Sequence, residues 1–592
     1  MDIIISKYMG KSLTFQYFVL LLLCCGFTVK AQQDIDLENL GQKTKETLKK
    51  NPFKISGGIS ANTVLYSSNA YNSREPFTYF LNGNLNLGIY NWSMPISYSL
   101  TNQGSQINYQ VPFKFNRFSI APKYKWIKAY LGDVSMSFSP YTYNGLMFTG
   151  VGFELTPKIP FKIALMGGRL NKAVNDDGNP YTIPAYKRMG YGADIKWEKE
   201  KYKLEMIGFY AKDDINSISV IPDSKNIYPQ ENLVLSAKGS FKLIKNLEVY
   251  GEYSNSALTT DLRLTGPSIN KKGITSIFFK TNSSTENNSA YNTGVNLNLK
   301  KTSLGIRYEK IDPEYRTLGA YYFNNDLENI TLNTAFTTFK DRLNIVANIG
   351  RQRDNLNFQK LKQTSRWVGA VNATLKASEK LLITGSYSNF TMFTNNQLNQ
   401  FTNINNNPLL IQQPRDSVNY KQINQNVNLN VNYTLPSTKD KVQNININYS
   451  LNDMVNRENG IVRLGGLSRF HNANINYNLG FPEKKMTIAA TVNYTNMYIT
   501  RKQSSILGPS VSISKSFLKD KLQTSAGVAY NITKSQDMKT DILNLRLGAN
   551  YIPWEKHNFS FNLINMFRNT NQQIENPKLN ELTTTIGYNY SF

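Results

Sequence analysis

The chain has 592 residues, 40% of them hydrophobic and 12% aromatic, and carries a formal net charge of +26. Its two cysteines, Cys24 and Cys25, both lie near the N-terminus, which excludes disulfide, thiolate and cysteine-metal chemistry from the rest of the chain. Beyond that N-terminus no stretch approaches the roughly 20 apolar residues of a spanning helix. That says nothing against a barrel, in which only every second strand residue faces lipid.

The first segment reads as a secretory signal. Lys7 and Lys11 form a basic start, Tyr17 to Phe27 is an apolar run, and Val29-Lys30-Ala31 offers a small-residue cleavage site. Met9 would start the same signal more compactly. Leucines stand before Cys24 where a lipoprotein would carry a small residue. Removal of residues 1–31 leaves Gln32 first and a net charge of about +24, since Lys7, Lys11, Lys30 and Asp2 are lost. Residues 32–52 are polar and helix-permissive and stop at Asn51-Pro52, predicting a short periplasmic helix or spacer.

From Phe53 onward the hydrophobic period is two. Val427, Leu429, Val431 and Tyr433 alternate with Asn426, Asn428, Asn430 and Asn432, and the same pattern recurs around Ile447, Ile475 and Leu545. Runs of nine or more alternating residues match tilted spanning strands. The polar face is rich in Asn, Ser, Thr and Gly, although Asn is depleted in ordinary strands, so that face is expected to line a wet lumen. Arg307 and Arg546 fall on it; facing lipid at mid-depth each would cost about 2–4 kcal/mol. They are the candidate basic lumen residues.

Short charged or proline-containing turns recur, from Pro157-Lys158 and Lys199-Glu200 to Lys519-Asp520-Lys521 and Trp554-Glu555-Lys556. Ten are clear, and two more lie near Tyr90-Asn91-Trp92 and Trp126-Ile127. Between them run longer polar stretches, the longest near 256–288 and 392–421. Short periplasmic turns alternating with long extracellular loops predict one antiparallel barrel over residues 53–592, of about 26 strands (24–28). Its first strand lies near 53–67 and its last near 581–592. In the last strand Leu582, Thr584, Ile586, Tyr588, Tyr590 and Phe592 share a face, and Tyr588, Tyr590 and Phe592 resemble a C-terminal signal for the barrel assembly machinery.

Several segments resemble a broad, uncharacterised group of outer-membrane barrel proteins of Bacteroidota type. They are Lys123-Tyr124-Lys125-Trp126, Leu131-Gly132-Asp133, Ser137-Phe138-Ser139-Pro140-Tyr141-Thr142, the run Pro184 to Gly192, Lys212-Asp213-Asp214 and Glu231 to Leu235. The resemblance covers about residues 53–260 and implies location and fold, without catalytic residues. TonB-dependent transporters differ in carrying a folded plug before the barrel, where only residues 32–52 stand here. The lipopolysaccharide-inserting barrel differs in its periplasmic β-domain.

Chemistry-bearing constellations are sparse. His471, at the start of a strand, and His557, at a periplasmic turn, lie in separate hairpins, and no Ser-His-Asp set assembles, so no enzyme and no cofactor are expected. Asp176, Asp177, Asp213 and Asp214 sit in consecutive loops and are a candidate extracellular Ca²⁺ site, against the plainer reading of Asp177-Gly178 as a turn. Asp416-Ser417-Val418 resembles a Bacteroidota O-glycosylation acceptor, at Ser417. The Gly57-Gly58, Gly167-Gly168 and Gly465-Gly466 pairs read as bends or bulges.

Two functions fit. One is a porin-like transport channel, narrowed by its own loops, with an anion-attracting basic bias. The other is a barrel component of a larger assembly for export, motility or envelope building, plugged by lipoprotein or periplasmic subunits. Lipopolysaccharide and membrane lipids are expected partners; nucleic acid is not.

Overall fold

The computed structural model describes residues 53–592 apart from 71–73, 90–91, 103–115, 180–181, 220–224, 226, 269–272, 322–324, 359–364, 390–419, 459–460, 500–501, 537 and 572–576. The predicted signal, the 32–52 segment and Ser417 lie outside the described residues.

All the strands belong to one antiparallel sheet in which neighbours in sequence are neighbours in space. The sheet closes on itself: the first strand, Phe53–Ser68, pairs with the last, Lys578–Ser591, from Gly58↔Ser591 to Ser68↔Glu581. Phe592 completes the seam by exchanging backbone hydrogen bonds with Gly57 at 3.1 and 3.2 Å. Two short pieces, Arg117–Ile120 and Lys123–Tyr124, both lie between Trp92–Thr101 and Ile127–Ser137 and form a single stave. Pro122, which has no N–H for the ladder, interrupts it. Counted so, the barrel has 26 strands, as the turn spacing predicts.

Twelve connections, each of seven residues or fewer, lie at the end that holds Phe53 and Phe592; those at the other end run from two residues (459–460) to 31 (389–419). The strands run past the expected loop limits in places. Leu247–Thr259 and Thr285–Asn298 take both flanks of the expected 256–288 loop, their ladder continuing from Ser256↔Asn288 to Thr259↔Thr285. Val442–Glu458 and Ile461–Phe481 are the longest strands, at 17 and 21 residues. A spanning strand needs only about 9–11, so this hairpin extends beyond the apolar belt. Gly465-Gly466 lies in it, beside a register shift at Val455/Arg457.

Pairing registers fix which residues share a face. Arg307 stands opposite Thr331, Thr331 opposite Gly350, and Gly350 opposite Val368. Alternation and pairing carry that face through Ala370↔Ser388, Ser388↔Asn426, Ser450↔Asn472 and Ser510↔Ala529 to Gly527↔Arg546. Arg307 and Arg546 therefore share one surface, and Arg307 touches a segment enclosed by the barrel, so that surface is the lumen. The opposite face carries Ile306, Ile330, Val511 and Leu547, each more than 50% exposed. A continuous exposed apolar belt of this kind is a lipid face. Among the described residues no helix is long and apolar enough to cross a membrane; the strands do so.

The closely packed interior lies inside the lumen and on one side of it. Val134, Met136, Phe138, Tyr143, Phe148, Met166, Ile207, Phe209 and Val234 form one buried cluster. Tyr141, Ala290, Ile311 and Tyr315 form a second.

Candidate functional site

Two connections from the long-loop end dip into the lumen between strands Ile127–Ser137 and Leu327–Thr338. The first, 138–143, is a tight fold in which Phe138 N–H donates to the Tyr143 carbonyl at 2.9 Å and Thr142 N–H to the Ser139 carbonyl at 3.2 Å. The second, residues 312–321, lies across it. The Tyr315 hydroxyl donates to the Tyr141 carbonyl (2.8 Å), Thr317 Oγ1 to the Thr142 carbonyl (2.6 Å) and Asn144 N–H to the Gly319 carbonyl (2.9 Å). A Cβ on Gly319 would stand 2.5 Å from the Thr142 carbonyl oxygen and 2.9 Å from the Phe209 ring. Only glycine permits the two segments to approach this closely.

Side chains anchor this plug to the wall. The Tyr143 ring lies over Phe209 (centroids 5.2 Å) and beside Phe138 (5.6 Å). Ser139 donates to Glu252, and the Tyr141 hydroxyl donates to Glu309. Arg307 donates to that hydroxyl at 3.3 Å and pairs with Glu309 at 2.6 Å. Asn232 Oδ1 accepts from Leu318 N–H at 3.0 Å, and Ser256 Oγ donates to the Arg316 carbonyl at 2.6 Å. Tyr141, Tyr143 and Tyr315 are almost wholly buried.

Beneath Phe138 the same side of the lumen holds a cavity of about 650 Å³. Its wall carries Lys162, Lys196, Lys203 and Lys238 together with Glu154, Asp194, Glu198, Glu205, Glu248 and Glu252. The lysines are paired, Lys196 to Asp194 two residues back on its own strand (2.9 Å), and across strands Lys196 to Glu205 (3.0 Å), Lys203 to Glu198 (2.7 Å) and Lys238 to Glu205 (3.5 Å). Acids outnumber bases here, so this chamber does not itself attract anions. Arg307 is likewise matched by Glu309.

The rest of the lumen wall differs in chemistry. From Asn426 to Asn589 the inward positions are mostly Asn, Ser, Thr and Gly, with a minority of apolar residues that includes Ala, Ile and Met as well as Val442, Phe470 and Leu579. The inward charges among the described side chains there are Lys502, Arg546, Arg568 and Glu581. The amides bond across strands: Asn444 to Asn432 (2.7 Å), Asn472 to Asn493 (2.9 Å) and to Thr495 (2.7 Å), and Asn476 to Thr491 (2.6 Å). Arg546, opposite Gly527 and Ile564, is exposed. The two arginines predicted as lumenal thus share a face but serve different roles, one clamped in the plug and one facing open lumen.

The four aspartates of the candidate Ca²⁺ site are engaged separately. Asp213 receives a bidentate contact from Arg188 (2.7 and 2.8 Å) and accepts from Gln230 N–H at 2.8 Å. Asp214 caps a short 3₁₀ turn, accepting from Asn216 N–H at 3.1 Å. Asp176 pairs with Lys225 at 2.7 Å, which holds its carboxyl below the usual range. Asp177 is also held low, chiefly by a hydrogen bond from Thr182 and then by Asn179 N–H. Among the described residues no group of three or more His, Cys, Asp and Glu side chains converges. Gly178, at φ 76°, makes the turn that the Asp-Gly pair predicts.

His471 does not start a strand, as its sequence surroundings suggest, but lies within Ile461–Phe481, 2.9 Å from the Tyr449 hydroxyl. His557 opens the strand after the last tight turn and packs among Trp554, Tyr588 and Tyr590. Both histidines point away from the lumen. Sequence reading did not single out Tyr141, Tyr143, Tyr315 or Gly319 as functional. The available signal was the aromatic character of 138–143, which is too apolar for a water-exposed loop.

No protein-family model and no curated protein matches the chain. Solved structures do resemble it in fold. The P pilus usher translocation pore aligns over 91% of this chain and 99% of its own, at 10% identity and a TM-score of 0.36. A chain of an E. coli P pilus tip assembly intermediate aligns over 90% and 60%, at 10% identity and 0.42. The FrpB iron transporter of Neisseria meningitidis aligns over 91% and 81%, at 10% identity and 0.35. The closed sheet and the apolar outer face of this chain define a membrane-spanning β-barrel that fits the outer membrane.

Proposed function

We propose that the protein is a non-enzymatic outer-membrane channel whose conducting path follows the amide-lined side of the lumen, the other side being filled by its own loops. The observation that carries this reading is the division of the lumen wall. The aromatic plug of 138–143 and 312–321 and, among the described residues, the paired charges of the lumen are gathered on the side formed by strands from Ile127–Ser137 to Leu327–Thr338, and the wall from Asn426 onward is polar and nearly uncharged. A barrel of 26 strands is much wider than a 16–18-stranded porin, so a half-filled lumen still leaves an aqueous path. Uncharged amides and hydroxyls exchange hydrogen bonds with water and polar solutes at little net cost.

In this reading the N-terminal 31 residues are the secretion signal and the tight-turn end faces the periplasm. The barrel assembly machinery reads the final strand through Tyr588, Tyr590 and Phe592. A mild anion preference comes from Arg546 and Arg568 on the open wall. The experiment is conductance in planar bilayers at low salt. Steady current with an anion-selective reversal potential is expected, and Arg546→Gln with Arg568→Gln should bring selectivity close to neutral. Absence of current from folded protein, together with stoichiometric co-purifying lipoproteins or periplasmic subunits, would transfer the chain to the assembly reading.

A further inference from the structure

Basic residues are not spread evenly over the barrel. The twelve tight turns hold seventeen Lys and Arg against seven Asp and Glu, while the connections at the other end hold fourteen against thirteen. The excess therefore forms a rim at the end that carries both chain ends of the barrel, opposite the long loops. Part of the rim's acid is already neutralised by neighbouring turns, Asp341 by Lys301 at 2.6 Å and Asp520 by Lys485. Lys158, Lys245, Lys300, Lys340 and Lys519 stand in addition to those pairs.

A second feature accompanies the charge. Large apolar side chains sit in these turns or at their edge: Ile159 beside Lys158, Ile244 at the strand end beside Lys245, Phe339 beside Lys340, Leu518 beside Lys519, and Trp554 near Lys556. All five are 60–69% exposed. Two of these turns repeat one conformation. Phe339-Lys340-Asp341 has φ of 51, 55 and 67°, and Leu518-Lys519-Asp520 has 51, 55 and 71°. The left-handed region is disfavoured for residues with a β-carbon, most of all bulky ones. A turn that met only water would gain nothing by holding Phe or Leu exposed in it.

We propose that this rim is a docking collar for anionic phospholipid headgroups, with the ammonium groups on lipid phosphates and the apolar side chains at the boundary of the acyl layer. Charge complementarity alone would also admit an acidic protein or a glycan strand bearing carboxylates. Either of those would neutralise the lysines and leave the ring of Ile, Leu, Phe and Trp in water. A phospholipid leaflet covers both, in the way that interfacial aromatics and snorkelling lysines anchor membrane proteins. The collar does not depend on conduction, so its test stands apart from that of the channel.

The test is native mass spectrometry of the full barrel in mild detergent, supplied with equal amounts of phosphatidylglycerol and phosphatidylcholine. Wild-type protein should retain phosphatidylglycerol over phosphatidylcholine by about tenfold or more. The variant Lys158→Gln, Lys245→Gln, Lys300→Gln, Lys340→Gln and Lys519→Gln should fall close to parity. A control with Lys172→Gln, Lys187→Gln and Lys280→Gln, at the long-loop end, should keep the wild-type ratio. Heat-dependent gel mobility establishes that each protein is folded, and a variant that fails to fold is replaced by its five single substitutions. Equal retention of both lipids by wild type, or a preference that survives the five substitutions, overturns the proposal. Lysine-dependent co-sedimentation with peptidoglycan sacculi, without lipid preference, overturns it in favour of a carboxylate-bearing wall polymer.

Discussion

Replacing Tyr143 and Tyr315 together by alanine is expected to raise single-channel conductance at least about twofold, because the lumen of a barrel this wide is limited by what fills it. Tyr143 is the centre of the larger buried cluster, lying over Phe209 and against Phe138 and Phe148. Tyr315 holds the second segment onto the first through the Tyr141 carbonyl. Truncating a buried aromatic removes about 3–5 kcal/mol. The two sites share the contact between the segments, so their costs should not simply add. The plug would loosen while the strand ladder, which does not use these side chains, persists. Gly319→Val reaches the same end by steric means, since its Cβ would clash with the Thr142 carbonyl oxygen and the Phe209 ring. Bilayer recordings decide the matter: unchanged conductance in both variants would show that the plug does not limit the path.

Asp213→Ala is expected to be the most destabilising single change at the long-loop end, by about 3–5 kcal/mol. Arg188 opens the strand Arg188–Glu198, Asp213 closes Tyr202–Asp213, and the two are register partners. Their side chains are 13% and 2% exposed. Removing the carboxylate strands a buried guanidinium and also leaves Gln230 N–H without its acceptor. Replacing both partners, Arg188→Met with Asp213→Leu, should recover much of the loss, because a matched apolar pair avoids the desolvation cost that the ions incur. Thermal unfolding of the folded, heat-modifiable band measures both. Calcium should not restore the single variant, since the carboxylate it loses is the one that receives both contacts from Arg188. A loss below about 1 kcal/mol would mean that Arg188 finds another partner.

Much of the architecture was legible in the sequence because a spanning strand obeys a strict period. Val427 to Tyr433 against Asn426 to Asn432 predicts both the strand and its two faces, and the charged turns set the count at 26. The placement of Arg307 and Arg546 on one surface followed from the cost of a charge in lipid. The plug was not legible. Its anchors are pairs far apart in sequence, such as Tyr141 with Glu309 and Thr142 with Thr317, and no local pattern marks them. The lumen's division was hidden for a similar reason. Lys196 and Glu205 appear as ordinary strand charges until register places them side by side. The basic excess was visible as a number, but only the assignment of each turn to one end shows that it forms a rim.

A charged thiol reagent applied to single cysteines in the barrel, whose residues 53–592 contain none of their own, tests the division of the lumen most directly. Asn474 lies on the amide-lined wall, and Val234 is buried under the plug. With a steady current established, the reagent should cut conductance stepwise and rapidly through Asn474→Cys and leave Val234→Cys unaffected. Equal block at both positions, or no effect at Asn474→Cys in a conducting barrel, would contradict a path confined to the amide-lined side.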